Sequence, residues 1–230
     1  EILLLKLEGK NIRNLDNFSV RCCPCANMIY GKNGSGKTSF LEAIYFLGRG
    51  RSFRSRDTKT VIQAGQSELV VSAQFDRLQS GVVSKMGVLR TMKGKFEARQ
   101  DGRVIRTAGE LAVQLPIQLI DAHSFLLLEG GALQRRQFLD WGVFHVEHSY
   151  ITLWRRFHRA LKQRNQLLKH DRLRSSELEL WSRELVGLSV SIAERREEYL
   201  RLLVEEVVKI SANFKSFVGM SIEYYRGWDR

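Results

Sequence analysis

Residues 31–38, Gly31-Lys32-Asn33-Gly34-Ser35-Gly36-Lys37-Thr38, carry the spacing G-x-x-x-x-G-K-T, whose residue types suit the capture of phosphate. Gly31, Gly34 and Gly36 permit backbone conformations closed to residues with a Cβ, so that successive N–H groups can converge on an anion. Lys37 would reach the β- and γ-phosphates of a nucleotide, and the Thr38 hydroxyl would ligate magnesium. Lys32, Asn33, Ser35 and Ser39 complete the candidate site. The bland alternative is a glycine-rich turn before an ordinary helix.

Such a loop is expected between a strand and a helix. Residues 25–30 are expected to form that strand. Residues 39–47 place Leu41, Ile44 and Tyr45 at helical spacing after it. Upstream, residues 2–7 and 18–22 read as two strands with a turn at Pro24. Downstream, residues 48–56 carry four arginines among glycine and serine, which predicts a basic loop. Arg54 is the residue expected to face nucleotide phosphate or DNA backbone, with Arg51 and Arg56 as further candidate DNA contacts; a solvated turn is the alternative.

From residue 61 to 106 short β-like runs separated by Gly81, Gly94 and Gly102 predict an antiparallel meander. Residues 108–115 read as a brief helix and 116–121 as a buried strand. Gln118 on that strand is a candidate magnesium or water ligand, or an ordinary hydrogen-bonded glutamine. Neither residues 117–121 nor 125–129 makes a convincing apolar strand ending in catalytic acids. The second run reads as a short helix stopped by Gly130-Gly131.

The second half is helical. Trp154, Phe157, Leu161 and Leu168 share one face of a first helix, and a polar break covers residues 170–176. Leu178, Trp181, Leu185, Leu188, Ile192, Tyr199, Leu203, Val207, Ile210 and Phe214 then mark a helix roughly 55–60 Å long, interrupted by Arg195. The pair predicts an antiparallel coiled-coil-like hairpin, either a projecting arm or two helices packed on a lobe. Residues 150–174 hold eight bases against one acid, Asp171. Arg155, Arg156, Arg159, Lys162 and Arg164 are the candidate DNA contacts. Lys169, Arg172 and Arg174 extend the stripe. Residues 219–226 alternate like a strand returning to the first lobe.

The formal charge of +12 points to a polyanionic partner. No apolar run approaches the length of a membrane span, and the expected location is cytoplasmic. Cys22, Cys23 and Cys25 are too crowded for a disulfide framework and lack the second pair of a zinc site. His145 and His148, three apart, are expected to be structural.

Residues 34–45, the Arg51-Ser52-Phe53-Arg54 loop, Arg135-Arg136-Gln137-Phe138-Leu139-Asp140-Trp141, residues 161–165 and Arg226-Gly227-Trp228 together resemble the RecF family of bacterial DNA replication and repair proteins, related to the Rad50 and SMC ATPases. The chain departs from the family pattern at Ala122-His123, where Pro-Glu is usual, at Ala132, where proline is usual, and at Ile12. The resemblance implies an α/β P-loop ATPase head of ABC/SMC type, a mixed sheet with an antiparallel meander, carrying an inserted helical arm. It implies domains of 1–121, 122–215 and a returning strand at 216–230. It also implies ATP and magnesium as cofactors, binding at single-strand gaps and junctions to help load recombinase, RecR and RecO as partners, and an ATP-dependent homodimer. No Leu-Ser-x-Gly-Gln signature is present, so the sequence reads as the amino-terminal part of a longer ATPase that binds nucleotide but turns it over poorly. Two other classes stay open: a P-loop kinase or GTPase, against which stands the lack of Asn-Lys-x-Asp, and a non-catalytic SMC-like DNA scaffold.

Overall fold

Leu69, Val71, Ala73 and Phe75 recur every second residue and are all buried, which is the period of a strand with one face on a core. They lie on the central β3 (Glu68–Arg77) of a six-stranded sheet. The computed structural model describes residues 2–77, 81–169, 175–217 and 219–228. Around β3 the strands are β1 (Ile2–Ile12), β2 (Leu15–Arg21), β4 (Val83–Thr91), β5 (Phe96–Gln100) and β6 (Arg103–Ile105), in the order β2-β1-β3-β4-β5-β6. Every pairing is antiparallel, and the expected meander is β3 to β6.

Helix α1 (Lys37–Arg49) and helix α2 (Ala108–Gln114) cover the sheet. The α1 face that enters the core is Ser39, Glu42, Ala43, Phe46 and Leu47, whereas Leu41 is exposed and Ile44 and Tyr45 are half-buried. Of the apolar residues at helical spacing, Ile44 packs against the margin of the core while Leu41 faces away from it. The core face carries a glutamate, which can be buried because partners meet it there. Helix α1 ends at Arg49 with Gly50 in the left-handed conformation, so the basic loop begins two residues later than its composition suggests.

Three expected strands are not strands. Residues 25–30 are irregular, with Met28 and Tyr30 about 89% and 88% exposed. Residues 116–121 are likewise irregular, and Ile120 is exposed. Residues 219–226 pair with no strand; Arg226 instead donates to Glu197, with Nε 3.0 Å from Oε1. The physical reason is common to all three: a β-like run makes a strand only where a neighbouring ladder accepts its N–H and C=O groups, and among the described residues none does. Among the described residues the strand pairings are all antiparallel.

Contacts divide the chain into residues 1–119 and 120–230. The last segment thus falls in the second unit, and the first boundary lies two residues before the expected one. The second unit is built from α3 (Leu126–Glu129), α4 (Ala132–Val146), α5 (Tyr150–Leu167) and α6 (Ser175–Ser211). Glu147 meets Arg195, Arg156 meets Glu184 and Arg164 meets Ser182, so partner numbers fall as the chain advances and α5 and α6 are antiparallel. The 37 residues of α6 span roughly 55 Å. Leu188 and Ile192 of its expected stripe are buried, but Ile210 and Phe214 are exposed, as is Leu168 at the end of α5. The polar turn around residues 170–176 lies outside the described residues for positions 170–174, as do Asp171, Arg172 and Arg174.

Gly142 on α4 lies against the Tyr199 ring of α6. A Cβ there would sit 2.1 Å from that ring, so a larger residue must displace the ring. Gly142→Ala should destabilise the second unit by about 1–3 kcal/mol, and pairing it with Tyr199→Ala should recover part of that loss in urea melts. Equal losses in both backgrounds would show that the ring is not the obstacle.

Candidate nucleotide site and nucleic-acid interface

The loop ahead of α1 has the backbone that its glycines foreshadow. Gly34 and Gly36 have φ of 80° and 94°, in the left-handed region. A Cβ on Gly36 would also stand 2.5 Å from Leu15, so the β1–β2 turn presses against the loop from below. The first helical bond runs from the Phe40 N–H to the Gly36 carbonyl at 2.8 Å. The first turn of α1 carries no acid, which leaves the positive end of the helix dipole uncompensated. Lys37 Nζ donates to the carbonyls of Gly31 at 2.7 Å and Lys32 at 2.8 Å, so the ammonium braces the loop from inside.

These residues border a cleft of about 720 Å³, within the size range of small-molecule sites. Gly34 to Ser39 form one wall, and Arg13, Asn14, Arg54 and Thr60 contribute from neighbouring segments. Among the described residues no carboxylate lines it, whereas Arg13, Lys37 and Arg54 do. A glycine cradle, a helix start, the Lys37 ammonium and an Arg54 guanidinium only loosely held by Glu42, at 3.7 Å, fit a triphosphate. Thr38 is exposed on the cleft, where its hydroxyl would help hold magnesium beside phosphate oxygens. Gln118 does not line the cleft; its amide donates to the adjacent Leu119 carbonyl at 3.3 Å. Among the described residues no cluster of three or more His, Cys, Asp or Glu could hold a metal, and all three cysteines are free.

Two supports of the loop were not singled out from the sequence. The Asn14 amide donates to the Gly34 carbonyl at 2.7 Å, while its oxygen accepts from the Ser39 hydroxyl at 2.8 Å, joining the loop crown to the first turn of α1. Glu42, fully buried, accepts two bonds from Arg13 at 2.9 and 2.8 Å and one from the Ser52 hydroxyl. The spacing Ser39, Glu42, Ala43, Phe46, Leu47 was the available signal for Glu42, since it puts a charge on the core face. Asn14 had none, because its partners lie 20 and 25 residues away.

The basic residues fall into two sets. In the first unit Arg51, Arg54 and Arg56 are exposed. Arg49 is different: burial pushes its guanidinium down to about 10, and it lies 5.7 Å from the Tyr45 ring. In the second unit Arg155, Arg159 and Lys162 are exposed on α5, and Lys169 is exposed just past its end. Arg156 is also exposed but pairs with Glu184 at 3.2 Å, and Arg164 is half-buried and donates to Ser182. Helix α6 alternates signs instead, with Arg183, Arg201 and Lys209 each beside a glutamate one turn away. The exposed basic residues of the hairpin that no described acid pairs therefore lie mainly on α5.

The Arg135–Trp141 segment is explained by packing. Asp140 accepts two bonds from Arg196, at 2.7 and 3.0 Å, one from the Trp154 indole at 3.2 Å and one from the Tyr150 hydroxyl. Burial and the Asp140 carboxylate both push the Tyr150 phenol well above its usual range. A single carboxylate thereby ties α4, α5 and α6 together. Arg135 is exposed and donates to the Leu128 carbonyl at 2.8 Å, bracing α3. His148 Nδ1 donates to the Phe144 carbonyl, 3.2 Å away and four residues earlier.

A phosphate loop under an antiparallel sheet, followed by an antiparallel helical hairpin, is the arrangement of a RecF/SMC-type ATPase head. Residues 3–131 match the model of the RecF/RecN/SMC N-terminal domain, and the chain belongs to that family. Within it, the chain is 44% identical over 227 residues to the DNA replication and repair protein RecF of Pseudomonas syringae pv. tomato (strain ATCC BAA-871 / DC3000), covering 99% of this chain and 62% of the relative. The RecF of Pseudomonas entomophila (strain L48) is 43% identical over the same length. The chain thus spans less than two thirds of these curated relatives. The fold matches a structure of the recombination mediator protein RecF-ATP in the RecFOR pathway, with a TM-score of 0.84 over 94% of this chain and 58% of that one, at 23% identity. It also matches an Smc head domain with an extended coiled coil, bound to the C-terminal domain of ScpA and derived from Pyrococcus furiosus, with a TM-score of 0.53 at 18% identity over 93% of this chain and 60% of that one. Among the described residues no helix is long and apolar enough to cross a membrane.

Proposed function

We propose that this chain binds magnesium-ATP at residues 31–39 and uses the bound nucleotide to control how the basic face of α5 grips DNA. In this reading it is the nucleotide-binding part of a recombinational repair and replication protein. It acts at single-strand gaps and their duplex junctions to help load recombinase, with RecR and RecO as partners and ATP-dependent pairing of two copies. Likeness to the RecF relatives and to the RecF-ATP fold supports the class. The observation that carries it is the cleft itself: Lys37 and a loosely held Arg54 facing a glycine cradle, with no carboxylate on its lining among the described residues. ATP supplies the energy-rich phosphate when bound. The chain's own part is to orient that phosphate chain with loop N–H groups, neutralise it with Lys37 and hold magnesium on Thr38.

Turnover should be slow, because among the described residues no acid lines the cleft to position magnesium and the attacking water. Magnesium-ATP should strengthen DNA binding by the wild type several-fold and leave Lys37→Ala unchanged, in fluorescence anisotropy at fixed salt, while phosphate release stays near background. DNA affinity that ignores ATP in both proteins would favour the scaffold reading. A kinase or GTPase would instead show preference for guanine nucleotides or transfer to a small acceptor.

A further inference from the structure

Cys22, Cys23 and Cys25 stand together where β2 ends and the chain turns toward the phosphate loop. All are free thiols, and none is among the described residues that line the cleft. They are not equivalent. Cys22 continues the ladder, its N–H donating to the Leu5 carbonyl at 2.9 Å, and its side chain packs against the core. Burial pushes its thiol above the ordinary range, which keeps it protonated and sheltered. Cys23 and Cys25 are exposed, one on each side of Pro24.

The turn they occupy is closed by one side chain. Asn27 accepts from the Cys23 N–H through Oδ1 at 2.7 Å and donates to the Cys23 carbonyl through Nδ2 at 2.9 Å, so a single amide holds both polar backbone groups of Cys23. Pro24 fixes φ between the two exposed thiols. Within this turn the N–H groups of Cys25 and Ala26 face the Cys23 sulfur and hold its thiol below the ordinary range. The thiolate is the form that attacks, so Cys23 is nucleophilic where Cys22 is not.

The same geometry selects the partner. An N–H of Cys25 at the Cys23 sulfur brings that residue beside it, and residues two apart have Cα atoms about 5–7 Å apart, largely within the span a disulfide bridges. Cys22 and Cys23 are joined by one planar peptide bond, which a bridge between neighbours would have to distort.

We propose that Cys23 and Cys25 form a reversible oxidation site for a peroxide, with Cys23 as the attacking sulfur and Cys25 as the thiol that resolves the product. In the first step the Cys23 sulfur attacks the peroxide: an S–O bond forms, the O–O bond breaks, and the departing oxygen takes up a proton. In the second the Cys25 thiol gives up its proton and attacks the Cys23 sulfenic acid: an S–S bond forms, the S–O bond breaks, and water leaves. Two thiols lose two electrons, and one peroxide is reduced by two. A dithiol reductant reverses the change. The ring that results lies in the covalent link between β2 and residues 31–38, and it stiffens the segment that leads into the phosphate loop.

The test uses the whole chain. Trypsin releases residues 22–32 as one peptide, because cleavage follows Arg21 and Lys32 and no Lys or Arg lies between them. With limiting iodoacetamide near neutral pH, Cys23 should be alkylated about tenfold faster than Cys22. Stoichiometric hydrogen peroxide followed by a thiol-blocking reagent should leave that peptide two hydrogens lighter with Cys22 alone blocked, and dithiothreitol should restore all the thiols. Cys25→Ser should instead retain a Cys23 sulfenic acid that dimedone captures, Cys23→Ser should give neither product, and Cys22→Ser should behave as wild type. Equal alkylation of the three cysteines, a bridge that includes Cys22, or disulfides formed only between two copies of the chain would overturn the proposal. If a variant does not fold, peptide mapping of the wild type decides alone, since it needs no substitution.

Discussion

DNA affinity should fall on the order of 10²- to 10³-fold when salt rises from about 50 to 200 mM. The number follows from which side chains the hairpin leaves available. Read from the sequence, eight bases in residues 150–174 suggest six to ten phosphate contacts and a fall of about 10³–10⁵. In the structure Arg164 is committed to Ser182 and Arg156 to Glu184, so Arg155, Arg159, Lys162 and Lys169 carry the described stripe. About four or five contacts give a logarithmic slope near −4. Arg155→Gln, Arg159→Gln and Lys162→Gln should each flatten that slope by about one, whereas Arg164→Gln should chiefly loosen the contact between α5 and α6. A slope near zero, or an Arg164→Gln effect as large as the others, would contradict the assignment of the face. The mixed-sign surface of α6 supplies the control: Arg183→Gln should leave the slope unchanged, because Glu179 already occupies that guanidinium.

Asp140→Ala should destabilise the helical unit by about 3 kcal/mol, the low end for breaking a largely buried ion pair. The pair is not fully dry, since Asp140 and Arg196 are about 19% and 15% exposed. The loss is still large because three donors lose one acceptor at once. Arg196 is left charged beside the core, and the Tyr150 hydroxyl and Trp154 indole are left unpaired. Asp140→Asn keeps the shape but not the charge and should cost less. Urea melts followed by far-ultraviolet circular dichroism measure both. The Tyr150 phenol gives a local check: part of its upward displacement comes from the Asp140 carboxylate, so its titration should move back toward the ordinary tyrosine range in the variant. A loss under 1 kcal/mol with the Tyr150 titration unmoved would show that this carboxylate does not join the helices.

What the sequence revealed and what it hid follow the range of the interactions involved. The loop, its helix and the β3–β6 meander rest on local rules: glycines where φ is positive, a period of two, and turn residues between runs. They were legible for that reason, as were α5 and α6 to within a few residues. Residues 25–30 and 116–121 are apolar enough to read as strands, yet Met28, Tyr30 and Ile120 stand exposed, because pairing is decided by a neighbour and not by the segment itself. The same limit hid the supports of the site. Glu42 looks like any helical glutamate until Arg13, 29 residues earlier, is folded against it. Asn14 looks like a turn residue until the Gly34 carbonyl is found 2.7 Å from its amide. The Arg135–Trp141 segment was recognisable as a family feature, but its physical work, four hydrogen bonds converging on Asp140, needed three helices in place.

The claim beneath all of these is that the cradle ahead of α1 binds a nucleoside triphosphate. Calorimetric titration of magnesium-ATP into the folded chain addresses it without assuming turnover, DNA or a partner. The account predicts one saturable site per chain, lost by at least tenfold on Lys37→Ala while the melting temperature of the unliganded variant stays within a few degrees of wild type. No heat of binding for any triphosphate, or equal affinity in wild type and Lys37→Ala, would contradict it.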